Sequence, residues 1–142
     1  MSPATSRATP AGILFESSNS TPAYLSRNDH RNGARGTKNK WGIRPPAEYE
    51  VFASSSRGGF TCSNGHNWGI RQSFGVLGKD GEKIAKFPRP SNSSDERHGY
   101  PVSARDTNRE FEHRPPAELT SRWRDGGLIT EFEKARIDRG KI

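Results

Sequence analysis

At 142 residues, with 29% hydrophobic content, 15 glycines and 10 prolines, the chain fits one domain with a small core and does not fit two. No apolar run approaches the ~18 residues of a membrane span, no signal-like apolar stretch opens the chain, and the single cysteine, Cys62, excludes an intrachain disulfide and a Cys-rich zinc cluster. The net charge of +7 is concentrated early: residues 1–40 carry six Lys/Arg against two acids, whereas 91–142 balance ten against ten. Such a field attracts nucleic acid, an anionic lipid surface or an acidic protein.

Residues 1–40 have almost no hydrophobic periodicity, and SRNDHRNGARGTKNK is built of turn-forming and basic residues. A disordered basic arm is predicted here, with Arg27, Arg31, Arg35, Lys38 and Lys40 placed to contact phosphates. The Ser, Thr, Ala and Pro of Met1 to Tyr24 resemble an organelle transit peptide as much as a disordered tail. A soluble protein of the cytoplasm or an organelle is therefore expected.

From Trp41 onward a single compact domain is predicted to run to residue 142. Short strands are expected at Glu50 to Ser54 (EVFAS) and in GGFTC leading to Cys62. The strongest signal is SFGVLGKDGEKIAKF, where Phe74 to Leu77 and Lys83 to Phe87 flank Lys79-Asp80-Gly81-Glu82. Asp-Gly accepts the positive φ of a tight hairpin turn, and Pro88 and Pro90 should end the second strand. Ser91 to Glu110 reads as a polar loop, stiffened only at HGYPV.

The periodicity then becomes helical. In RPPAELTSRWRDGG, Pro116 suits a first turn, Leu119 and Trp123 share one face, and Gly126-Gly127 provides the stop. In LITEFEKARIDRGK, Thr130 and Glu133 form a capping box and Gly140 stands where a helix ends. This helical hairpin resembles those appended to many bacterial proteins as interaction modules. The fold class is thus α+β: a small antiparallel sheet with a C-terminal helical hairpin after the arm.

WGIR occurs at Trp41 to Arg44 and at Trp68 to Arg71, and RPPAE at Arg44 and Arg114, with unequal spacings that exclude a solenoid. Each Trp either anchors a strand entrance in a core poor in aliphatics or, with Arg44 and Arg71, forms a surface on which bases stack.

Among titratable groups, His98 in DERHGYPVS has Asp95, Glu96, Arg97 and Tyr100 near it in sequence. A ribonuclease needs a histidine near neutrality, a carboxylate to orient it and an arginine for the phosphate. His98, Asn108 and His113 resemble the His, Asn, His order of metal-dependent HNH nucleases. The order of Arg27, Ser54-Ser55-Ser56 and Glu110-Phe111-Glu112 is similar to toxin-type ADP-ribosyltransferases, which implies a catalytic Glu112 and an NAD-binding role for Arg27 and the serines. His66 has no partner at metal-ligand spacing, and no phosphate-binding glycine loop or GxSxG is present.

No required spacing ties two of these catalytic candidates together, whereas basic charge and exposed planar groups need none. The leading expectation is a non-catalytic protein holding RNA or a ribonucleoprotein through Arg27, Arg31, Arg35, Lys38, Lys40, Trp41, Arg44, Trp68 and Arg71, without cofactor or metal. A toxin-like enzyme using His98 or Glu112 is the rival, and a subunit of a larger assembly the third possibility.

Overall fold

The computed structural model describes residues 5–18, 21–31, 39–92, 95–106 and 113–142. Three early segments are strands, where the sequence suggests only an arm. Strands β1 (Ser6–Thr9), β2 (Gly12–Phe15) and β3 (Tyr24–Arg27) form an antiparallel meander in that order. Registers run Ser6 opposite Phe15 and Phe15 opposite Tyr24. The segment orders because Phe15, Tyr24 and Leu25 are buried, an apolar anchorage that the low periodicity conceals. Residues 1–4 and 32–38, including Arg35 and Lys38, lie outside the described residues.

The expected strand EVFAS is instead part of helix α1 (Pro45–Gly58). Its first RPPAE places proline at the first helical positions, where no intrahelical amide bond is lost, and Gly59 closes it in the left-handed region at φ 66°. Glu48, Tyr49, Val51, Phe52 and Ser55 are buried at three- and four-residue intervals, a helical period that five residues of EVFAS cannot reveal. The second RPPAE leads into helix α2 (Ala117–Asp125), so this repeat is a reused helix start.

Strands β4 (Asn67–Ile70), β5 (Ile84–Phe87) and β6 (Tyr100–Val102) form a second antiparallel sheet in that order. The GGFTC strand reduces to a single bridge between Thr61 and Asn67. The Lys79 to Glu82 turn forms, with the Leu77 amide donating to the Glu82 carbonyl at 2.7 Å and Gly81 at φ 89°. Its expected first strand does not: Gln72–Phe74 is a 3-10 turn, and β5 pairs with β4 and β6. Pro88 follows the last residue of β5, as expected of a residue without an amide donor.

Helix α2 and helix α3 (Glu131–Asp138) make the C-terminal hairpin, and Thr130 and Glu133 form their reciprocal capping box. Two aromatic-rich cores lie on either side of β5. Ala85 and Phe87 join Phe15, Tyr24, Trp41, Tyr49, Phe52 and Leu77 under α1, while Ile84 joins Trp68, Phe74, Val102, Leu119, Trp123 and Ile137 under the hairpin. The fold is thus α+β, with two small sheets in place of one.

This arrangement explains the WGIR repeat. Trp41 and Trp68 are 2% and 1% exposed, one in each core. Each following glycine sits where backbones or side chains crowd: a Cβ on Gly42 would lie 3.1 Å from the Gly78 carbonyl carbon, and one on Gly69 would lie 2.8 Å from Val51 Cγ1. The repeated unit is a tryptophan plug followed by a close approach.

Candidate active site

Strand β3 and the 3-10 turn after it (Asn28–His30) carry Arg27, Asp29 and His30. A bridge between Tyr24 and Arg97 draws the segment before β6 alongside: the Leu25 amide donates to the Arg97 carbonyl at 2.7 Å and the Arg97 amide to the Ala23 carbonyl at 2.8 Å. His98 is thereby set beside the β3 end, far from it in sequence. Asn39 ties the turn to β6, since its Nδ2 donates to the Pro101 carbonyl at 2.8 Å while its own carbonyl lies 2.9 Å from His30 Nδ1.

Gly99 makes this path possible. A Cβ there would lie 2.2 Å from Phe87 Cδ1 and 2.8 Å from the Lys86 carbonyl oxygen, and the Trp41 indole donates to the Gly99 carbonyl at 3.1 Å. Gly99→Ala should therefore destabilise the protein by about 1–3 kcal/mol, the usual cost of forcing extra atoms into a packed site. Thermal melting checks it, and a variant as stable as wild type would mean that the chain can move off Phe87.

Two imidazoles pack on one phenol, and a third stands close by. The His30 ring stacks on Tyr100 at 5.1 Å with planes 20° apart, and His113 meets the same ring edge-on at 6.0 Å. His98 is half-buried, and burial pushes its pKa below the ordinary 6.5; the charges of Arg27 and His30 push the same way, with Asp29 and Glu96 opposing. At neutral pH it is an uncharged imidazole able to accept a proton. Burial raises the Tyr100 pKa, so its hydroxyl remains a donor. Arg27 is held by Asp29 at 2.9 Å, partly exposed.

The other expected binding residues fare differently. Arg31 belongs to the fold: it donates to Glu48 Oε1 at 2.6 Å, to the Ile43 carbonyl at 2.7 Å and to Ser26 Oγ at 2.8 Å. Glu48 is fully buried and also accepts from Tyr24 Oη and from Ser26 Oγ. Burial raises the Glu48 pKa while these donors hold it toward the ionised form. Lys40 donates to the Asp29 carbonyl. Arg44 and Arg71 are exposed, but the indoles of Trp41 and Trp68 are buried, so the expected stacking surface of Arg and Trp is not formed.

Glu112 and Asn108 lie outside the described residues. Ser54, Ser55 and Ser56 stand on helix α1 and not at the end of the expected strand EVFAS, and Ser55 is used internally, its Oγ donating to the Trp68 carbonyl at 2.7 Å. His66 Nδ1 accepts the Arg89 amide at 2.9 Å. Among the described residues no group of three His, Cys, Asp or Glu could hold a metal ion, and no helix is long and apolar enough to cross a membrane.

Sequence reasoning finds His98, Tyr100 and Arg27 but not their meeting, because β3 and the segment before β6 are brought together only by the bridge at Tyr24. It misses His30 altogether; a histidine within a basic tract carries no signal of its own. The chain matches no protein-family model, no curated protein and no solved structure.

Proposed function

We propose that this protein binds single-stranded RNA and cleaves it with His98 as general base. The observation that carries the reading is the half-buried His98, its pKa lowered by burial and by the nearby Arg27 and His30, two residues before Tyr100, on whose ring His30 and His113 pack. His98 takes the proton of a ribose 2′-hydroxyl, the 2′ oxygen attacks the neighbouring phosphorus, and the P–O5′ bond breaks. The departing 5′ oxygen takes up a proton from the His98 imidazolium or water, leaving a 2′,3′-cyclic phosphate and a 5′-hydroxyl. In this reading Arg27, shared with Asp29, balances the phosphate charge, and the Tyr100 hydroxyl is a neutral donor. The net charge of +7 supports an anionic substrate of this kind.

Labelled RNA incubated with micromolar protein should be cut to cyclic-phosphate ends, and His98→Ala should lower the rate on the order of 10²–10⁴-fold with RNA affinity and melting temperature retained. The acid limb of kcat/KM should fall below pH 6.5, because protonated His98 cannot act as base and its pKa is depressed. RNA left intact by wild type, at unchanged affinity, would make the protein a binder without catalysis. Consumption of NAD, stopped by Glu112→Gln, would favour the transferase instead.

A further inference from the structure

The end of β6 away from His98 opens into a second, unassigned site. A cleft of about 260 Å³ is lined by four cations, Lys83, Arg105, Arg136 and Lys141, and by two carboxylates, Asp80 and Glu82. The register of the sheet puts it there: Ile84 pairs with Val102 and Lys86 with Tyr100, so Lys83 and Ser103 stand together one step beyond the ladder.

Four cations meet here, none within ion-pair distance of an acid among the described residues. Their side chains touch neutral groups: Arg105 Nε and Arg136 Nη2 converge on the Lys141 carbonyl at 2.9 and 3.3 Å, and Lys83 Nζ lies 5.2 Å from the Phe74 ring centre. Glu82 Oε1 accepts the Asp80 amide at 3.0 Å. Four cations against two carboxylates leave the concave lining positive, and an anion from outside lowers the repulsion that remains. Two guanidinia offer the paired donors that suit phosphate oxygens.

We infer that this cleft holds a backbone phosphate of the same polynucleotide strand whose scissile bond lies at His98. The inference rests on the RNA reading above and adds the direction of the strand, along β6 from Tyr100 to Ser103 and Arg105. Three residues of strand span about 10 Å, so a short oligonucleotide reaches both sites. A free phosphate shares the chemistry, and the test separates the two sources.

The probe is a fluorescent single-stranded 2′-O-methyl RNA, which lacks the attacking hydroxyl and reports binding without cleavage. Its affinity for the full chain is followed against salt. Arg105→Gln/Arg136→Gln should flatten the log–log slope by about 0.7 for each phosphate that the variant no longer neutralises. Because Arg105 also holds the Lys141 carbonyl, Lys83→Gln/Lys141→Gln serves as a second variant; its amines make no hydrogen bond among the described residues, and it should flatten the slope with an unchanged melting curve. An unchanged slope in the lysine variant overturns the assignment. So does calorimetry in which inorganic phosphate binds wild type while neither double variant alters oligonucleotide binding. A flattened slope with no cleavage of ordinary RNA by wild type keeps the cleft and removes the catalytic reading; cleavage with unaltered slopes does the reverse.

Discussion

Glu48→Ala will lower stability by roughly 3–5 kcal/mol, as removal of one member of a buried ion pair does. The side chain is 0% exposed and accepts from Arg31, Ser26 and Tyr24 at once. Truncation takes one acceptor from the partly buried Arg31 guanidinium and leaves the buried Tyr24 and Ser26 hydroxyls without theirs, and each unmet buried donor adds a desolvation cost. Glu48→Gln retains an acceptor for the hydroxyls but points amide hydrogens at a cation, so it should fall between alanine and wild type. Urea denaturation measures both. Equal stability for Glu48→Ala and wild type would mean that Arg31 and Tyr24 are hydrated and that β3 is not fastened to α1 through this carboxylate. Because the network joins the meander to the helix, loss of residues 5–31 should expose Phe52 and Leu77 and abolish cooperative unfolding.

That network also explains why the N-terminal third reads as an arm in the sequence. In AYLSRNDHR only Tyr24 and Leu25 are conspicuous, and Ser26, His30 and Arg31 count as polar. In the fold Ser26 and His30 are buried, and Arg31 is the counterion of a glutamate on another element. Charge in a sequence carries no label saying whether water or a buried partner surrounds it. Strands of four residues show at most two inward positions, too few for a period-2 pattern to stand out.

Elements whose signal is local are legible. The Thr130 and Glu133 capping box, the Gly81 turn and the stop at Gly126-Gly127 depend on residues within a few positions of one another, and each is found where expected. RPPAE reads as a helix start at Arg114 but not at Arg44, although the chemistry is the same, since the β-branched and aromatic residues after the first copy suggest a strand. Of the candidate site, His98 is legible as a type of residue with suitable neighbours. What lowers its pKa is its burial, together with the Arg27 and His30 charges supplied from the β3 end, and no spacing in the sequence encodes that meeting.

Trp123→Ala is expected to cost roughly 3–5 kcal/mol, in the range for large buried aromatics. The indole is 0% exposed and shares its core with Trp68, Phe74, Ile84, Val102, Leu119 and Ile137, meeting Phe60 edge-on at 6.0 Å. Its Nε1 has no hydrogen-bond partner among the described residues, so the cost is one of packing and not of a hydrogen bond. Helices of nine and eight residues are too short to persist alone in water, and α2 and α3 therefore depend on this packing against the β4-β5-β6 sheet. Phe132 on α3, 70% exposed, is the internal control: Phe132→Ala removes an aromatic ring from the same hairpin and should change stability by no more than about half a kcal/mol. Chemical denaturation of the two variants side by side reads the difference. If Trp123→Ala melts within a degree or two of wild type, the hairpin is held by something other than its tryptophan, and the second core has been misplaced.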